Sequence, residues 1–287
     1  MITSQYRVTV YKIKSVRKRR EHNPRTWTRL FSFIGTRTFD PFCYNSYMKE
    51  KIFFENINGK KIFCYLSEPT SSQKKIVIMC HGFRGSSLGS AKQFVDFARL
   101  LDQKGFSTLR FDQPNSGNSD GDFLNSSFNE WVDALVFFIK KYLDQGYKVS
   151  LLGQSMGATA AVISTSKPGV KDKIPCILLW VPDPKSDVEI DFNQAYEEGG
   201  QKNKGSFWKE AKNGDFLKCL DQYQGKIHLV YGAQDKFISQ KLRNQVIEKV
   251  KSKGGKVMIL EGQDHSPWGF ELTQQVYKEE LDILNQI

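Results

Sequence analysis

The sequence predicts an α/β protein: a mainly parallel central sheet covered by helices on both faces, interrupted by a small cap insertion. Three observations predict it. From residue 75 onward, short apolar runs alternate with longer segments whose apolar residues recur at helical spacing. The short runs are apolar throughout, as strands buried on both faces are, rather than alternating in and out. A polar stretch at 182–222, with prolines at 182 and 184, breaks this rhythm just after a strand end, where an insertion overhangs the sheet edge.

The elements follow in order. Residues 1–50 form a basic extension, in which 5–16 alternate enough for a strand with Tyr6, Val8 and Val10 on one side. Strands at 51–56 and 61–66 make a hairpin through Asn58-Gly59, a pair that accepts the left-handed backbone of a type I′ turn. A buried strand is expected at 75–80. A helix at 91–103 carries Phe94, Phe97, Ala98 and Leu101 on one face, and a strand follows at 107–111. The helix at 128–143 is closed by Gly146. Strands at 148–152, 174–181, 226–231 and 256–260 complete the sheet, with helices at 238–252 and 270–286 after the last two. The expected division is an extension at 1–50, a first core part at 51–181, the cap at 182–222 and a second core part at 223–287.

Composition bounds the function. The 287 residues suffice for one α/β domain with an insertion, and 39% hydrophobic and 25% charged residues are ordinary for a soluble chain. No apolar run has the length of a membrane span, and the alternating start of the chain lacks the apolar segment of a secretory signal. The five cysteines, Cys43, Cys64, Cys80, Cys176 and Cys219, are an odd number without paired spacing. They point to a reducing compartment, and a cytoplasmic location is expected. No Cys/His cluster has zinc spacing and no phosphate-binding glycine loop appears, so the reading requires no cofactor and no metal.

Chemistry concentrates at Gly153-Gln154-Ser155-Met156-Gly157. A serine on a sharp strand-to-helix turn pushes its hydroxyl out of the sheet edge, and the flanking glycines remove side chains that would collide there. Small residues after it (Ala158, Thr159, Ala160, Ala161) let the helix pack closely. Ser155 is the candidate nucleophile. A serine hydroxyl needs a base, and the base an orienting acid. Of four histidines, His22 lies in the basic extension, His228 inside a strand, and His81 opens the loop after 75–80. His265 alone lies in a loop after a late strand, at the same sheet edge as Ser155, and is the candidate base. Asp235, after 226–231, is the candidate acid; Asp264 and Asp183 are its rivals. Asp112 and Asp120 sit in a Gly/Asn/Ser-rich loop and are expected to stabilise turns. The backbone N–H groups of Met156 and Phe83 are the expected oxyanion donors, with Gly82 and Gly85 allowing close approach and His81 holding the loop. Phe207, Trp208 and Trp268 are candidates for lining a substrate pocket.

From about residue 50 to its end, the chain resembles the α/β-hydrolase superfamily. HGFRG at 81–85, FDQPNSGNSDG at 111–121, GQSMG at 153–157, GAQD at 232–235 and GQDH at 262–265 are similar to small carboxylesterases of the cinnamoyl/feruloyl kind, and monoacylglycerol-lipase-like enzymes share the Ser-Met-Gly elbow. The resemblance implies a Ser155–His265–Asp235 triad, an oxyanion hole at Phe83 and Met156, and hydrolysis of small-molecule carboxylic esters. The cap, about forty residues with few bulky apolar side chains beyond Phe207 and Trp208, leads to the expectation of short or aromatic acyl groups. Lipase, thioesterase and small-peptidase chemistry would use the same triad, and a non-catalytic binding protein could occupy the same fold. The chain departs from the family with Gln154 in the elbow where many relatives have His, and in its 113–118 turn, short cap and basic arm.

Residues 1–50 hold eleven Lys/Arg against three acids, which places +8 of the +11 net charge there. Three readings are ranked: a solvated tail, peripheral contact with an anionic membrane through residues 7–37 beside Trp27, Phe31 and Phe33, and nucleic acid, for which charge alone argues. An organellar transit peptide ranks last.

Overall fold

The computed structural model describes residues 48–185 and 187–287. The expectations for 5–16 and for membrane contact through 7–37 fall outside the described residues. Strands β1 (Met48–Ile57) and β2 (Lys60–Pro69) form the expected hairpin, with Asn58 and Gly59 both at positive φ (51° and 82°). β3 (Lys75–Cys80), α1 (Gln93–Gln103), β4 (Ser107–Phe111), α2 (Phe128–Asp144), β5 (Lys148–Gln154), α3 (Met156–Ser164) and β6 (Cys176–Trp180) follow. Then come β7 (Ala195–Glu198), β8 (Gln201–Lys204), α4 (Ser206–Asn213) and α5 (Phe216–Gln222). β9 (Lys226–Gly232), α6 (Gln240–Ser252), β10 (Lys256–Leu260) and α7 (Phe270–Leu284) close the chain.

Eight strands make one sheet in the order β1-β2-β4-β3-β5-β6-β9-β10, and β2 alone runs against its neighbours. The chain therefore leaves β3, β5, β6, β9 and β10 at the same edge, which gathers their following loops together. The helices are amphipathic for visible reasons. α2 is capped by the Ser127 hydroxyl, which accepts the Glu130 N–H, and buries Trp131, Leu135, Phe138, Ile139 and Tyr142. α1 starts two residues later than the spacing predicts, because Ala91 and Lys92 sit at positive φ (46° and 64°) and cannot join an α-helix. α3 is buried on every side, which its small residues permit.

The segment after β6 holds a hairpin the sequence analysis did not anticipate. β7 and β8 pair through Gly199-Gly200, both at positive φ. The Gly-Gly pair was the available signal; the strands themselves carry no apolar alternation. α4 packs Phe207 and Ala211 against Phe128, Trp131 and Val132 of α2 and against Met156, Ala160 and Ile163 of α3, forming a second apolar cluster beside the main core. α5 contributes Phe216 and Leu220 to the main core. No helix among the described residues is long and apolar enough to cross a membrane.

Candidate active site

The turn from β5 into α3 explains its glycines. Ser155 has φ 53° and ψ −122°, a strained conformation for a residue with a side chain. A Cβ on Gly157 would stand 2.2 Å from the Cys80 carbonyl oxygen and 2.4 Å from that of His81; one on Gly153 would stand 2.4 Å from the Cα of Ala158. Helix and neighbouring strand thus meet through bare backbone. The Ser155 N–H donates to the Trp180 carbonyl at 2.8 Å, which ties the turn to β6.

The loops after β5, β9 and β10 bring three predicted residues together. Ser155 Oγ lies 2.9 Å from His265 Nε2, and His265 Nδ1 lies 2.7 Å from Asp235 Oδ2. Since a carboxylate oxygen accepts, Nδ1 carries the proton and Nε2 is free to accept from the serine hydroxyl. Asp235 is itself held: its Oδ1 accepts the N–H groups of Phe237 (2.9 Å) and Ile238 (3.1 Å), and Arg243 donates to its carbonyl at 2.9 Å. The rival acids are occupied elsewhere. Asp183 pairs with Lys185 Nζ at 2.6 Å, while its carbonyl accepts from the Thr159 hydroxyl. Asp264 accepts the N–H groups of His265 (2.8 Å) and Lys236 (3.1 Å), which hold its carboxyl below the usual range and fasten the histidine turn to the aspartate turn. Burial pushes the thiols of Cys64, Cys80 and Cys176 up, so none of these cysteines competes as a nucleophile.

His81 plays the holding role expected of it. Its Nε2 accepts the Gln113 N–H at 2.9 Å, so Nδ1 carries the proton and donates to the Gly82 carbonyl at 2.8 Å. Burial pushes the imidazole below its ordinary pKa and keeps it neutral. A Cβ on Gly82 would lie 2.9 Å from that of Ser155, so the loop passes directly over the serine. The N–H groups of Phe83 and Met156 donate to no group among the described residues. Asp112 accepts the Asn118 N–H within its own loop, the turn role expected, and also the Ser87 N–H, while Asp120 accepts the Lys61 N–H and so ties the loop to β2 instead of closing a turn.

The three aromatic candidates separate. Trp208 is half-buried, its ring 4.5 Å from that of Phe83 and under the Lys185 ammonium at 4.6 Å. Phe207 is 0% exposed, enclosed by Phe83, Phe128, Trp131 and Trp208, and has no surface for a ligand. Trp268 is 6% exposed and packs on Trp180 at 5.4 Å, while its indole N–H donates to the His265 carbonyl at 3.1 Å. Both buried rings therefore support the site from behind instead of lining it. Sequence reasoning passed over Phe123, whose ring lies tilted against that of Phe83 at 4.9 Å, and the Arg84–Glu198 pair at 2.7 Å, which fastens the β7–β8 hairpin to the loop over Ser155. Neither contact leaves a local sequence pattern.

A family profile described as alpha/beta hydrolase fold matches residues 75–197. The chain has the α/β-hydrolase fold, with its mostly parallel eight-stranded sheet. Among solved structures it is similar to Est1E from Butyrivibrio proteoclasticus with ferulic acid bound, at 21% identity and TM-score 0.69, covering 82% of this chain and 100% of that one. It is also similar to alpha/beta hydrolase domain-containing protein 10 from mouse (15% identity, TM-score 0.68, covering 82% and 99%). A dienelactone hydrolase from Anabaena variabilis is a third similar structure (14% identity, TM-score 0.61, covering 83% and 98%). None of the curated protein sequences matches the chain.

Proposed function

We propose that the chain is a serine hydrolase that cleaves carboxylic esters through an acyl-enzyme. The observation that carries this reading is the unbroken relay Ser155 Oγ–His265 Nε2 (2.9 Å) and His265 Nδ1–Asp235 Oδ2 (2.7 Å), set beneath two uncommitted amides. Ser155 Oγ attacks the carbonyl carbon while His265 Nε2 takes its proton. Asp235 keeps the imidazole in the tautomer that can accept, and stabilises the cation that forms. Oxygen of the tetrahedral intermediate binds the Phe83 and Met156 N–H groups; losing one such donor costs roughly 10²–10³ in rate. His265 then returns the proton to the leaving alcohol, and the same groups activate a water to release the acid.

On the oxyanion side, Phe83, Phe123 and Trp208, the last on α4 of the cap, form a partly exposed aromatic wall. This supports a short or aromatic acyl group, and the ferulic acid held by Est1E, a compact aromatic acid, fits the same reading. Fluorophosphonate labelling tests the nucleophile: the parent should label stoichiometrically, and Ser155→Ala should not label while keeping its fold. A p-nitrophenyl ester series tests the acyl side. A rate that climbs steadily through palmitate would replace this reading with the monoacylglycerol-lipase one.

A further inference from the structure

Phe237 stands apart from the rest of the apolar side chains near the site. Its N–H helps hold Asp235 Oδ1, and its ring lies 5.3 Å from the His265 imidazole, yet the side chain is 65% exposed. It contributes little to the core. Two further large apolar side chains stand in water on the loops that reach His265. Leu88, 51% exposed, is two residues before Ser90, whose hydroxyl lies 3.3 Å from that of Ser266. Phe270, 73% exposed, opens α7 five residues after His265. Three of the six large exposed apolar side chains described thus lie on segments that adjoin the His265 loop, and of the three the Phe237 ring is the one in contact with the imidazole.

The chemistry of the ester says what belongs there, and this step rests on the hydrolase reading above. The tetrahedral carbon has three substituents besides the serine oxygen. One oxygen is committed to the Phe83 and Met156 amides. The leaving oxygen must come within hydrogen-bond reach of His265 Nε2, because that nitrogen returns its proton. The acyl group takes the remaining direction, toward the Phe83–Trp208 wall. The alcohol therefore leaves across His265, the imidazole that the exposed Phe237 ring borders at 5.3 Å. The one charged side chain next to it in sequence, Lys236, turns to Asp264 at 3.3 Å. We propose that Phe237 is the floor of an alcohol-side subsite that selects esters of apolar, ring-bearing alcohols.

The test varies the alcohol at fixed acyl group: methyl, propyl, benzyl and glyceryl acetates, with the full chain and its Phe237→Ala and Phe237→Leu variants. All three forms keep the backbone N–H that holds Asp235. The parent should favour benzyl over methyl and glyceryl acetate in kcat/KM. In Phe237→Ala the loss should be about ten-fold or more greater for the benzyl than for the methyl ester, with Phe237→Leu between. The rate of acyl-enzyme breakdown, common to the series, should not discriminate between alcohols. An equal loss across all four esters would make Phe237 a support for Asp235 and overturn the subsite. Failure of Ser155 to label with a fluorophosphonate would overturn the hydrolase reading and the subsite together; labelling combined with indifference to the alcohol would overturn the subsite alone.

Discussion

Asp235 accepts from His265 Nδ1 at 2.7 Å through one carboxylate oxygen, while the other is saturated by two backbone N–H groups. The division of labour matters, because a carboxylate free to rotate could not hold one imidazole tautomer. Asp235→Asn should therefore lower kcat by about 10²–10⁴ and leave KM within a few-fold, since tautomer and imidazolium stabilisation are lost and substrate contacts are kept. Steady-state kinetics on a p-nitrophenyl ester checks it. Asp183→Asn is the control: loss there with near-normal Asp235→Asn would move the acid to Asp183.

Behind the sheet, Glu280 Oε1 accepts from the Trp180 indole at 2.7 Å and contacts His228 Nδ1 at 3.0 Å, with all three side chains fully buried. Burial pushes the Glu280 carboxyl up, against the pull of His228 and Trp180. Glu280→Ala strands both partners and should cost about 3–5 kcal/mol in a denaturant titration. Glu280→Gln keeps an acceptor and should cost clearly less.

Asp102 supplies a pH signature. Burial raises its pKa to about 6 against the ordinary 3.8, with the Ser67 hydroxyl pulling it partly back. Between those values the folded chain holds a proton that the unfolded chain releases, so this group's contribution to stability falls as pH rises from about 4 to 6. The stability of Asp102→Asn relative to the parent should improve across that window by an amount of the order of 1–3 kcal/mol, read as the change in the gap between the two melting curves.

The charge of the extension predicts a separable behaviour, since every residue placed at the site lies beyond residue 80. Full-length protein should cosediment with anionic vesicles at low salt and more weakly at physiological salt, where the Debye length is about 8 Å. Replacing Arg17, Lys18, Arg19 and Arg20 with Gln should weaken sedimentation and leave ester turnover within two-fold. Sedimentation indifferent to lipid charge would return the arm to a solvated tail.

Much of this site was legible because its signals are local. The elbow glycines, the strand before them and the small residues after them sit within about a dozen positions, and sheet order then carries Asp235 and His265 to the same edge. What escaped depends on distant contacts. Trp268 resembled a pocket aromatic in sequence, and only its packing on Trp180, 88 residues earlier, reveals a support for the His265 carbonyl. The aromatic wall needs Phe123 and Trp208 each to reach Phe83 from a distant segment, and the hairpin fastening needs Arg84 to find Glu198, 114 residues away. No periodicity records such meetings.

The complete burial of α3 has a consequence for how this protein would lose activity. A helix with no solvent-facing side cannot fray on its own; its amides exchange with water only when the sheet beneath it and α2 beside it come apart as well. Ser155, the proposed nucleophile, thus heads a fully buried helix that should be among the last parts of the chain to open, whereas the mostly exposed β7–β8 hairpin should open earlier. Heat should spare the hydroxyl's geometry until the whole fold melts, so that inactivation at Ser155 and global unfolding share one midpoint, with loosening of the hairpin preceding both.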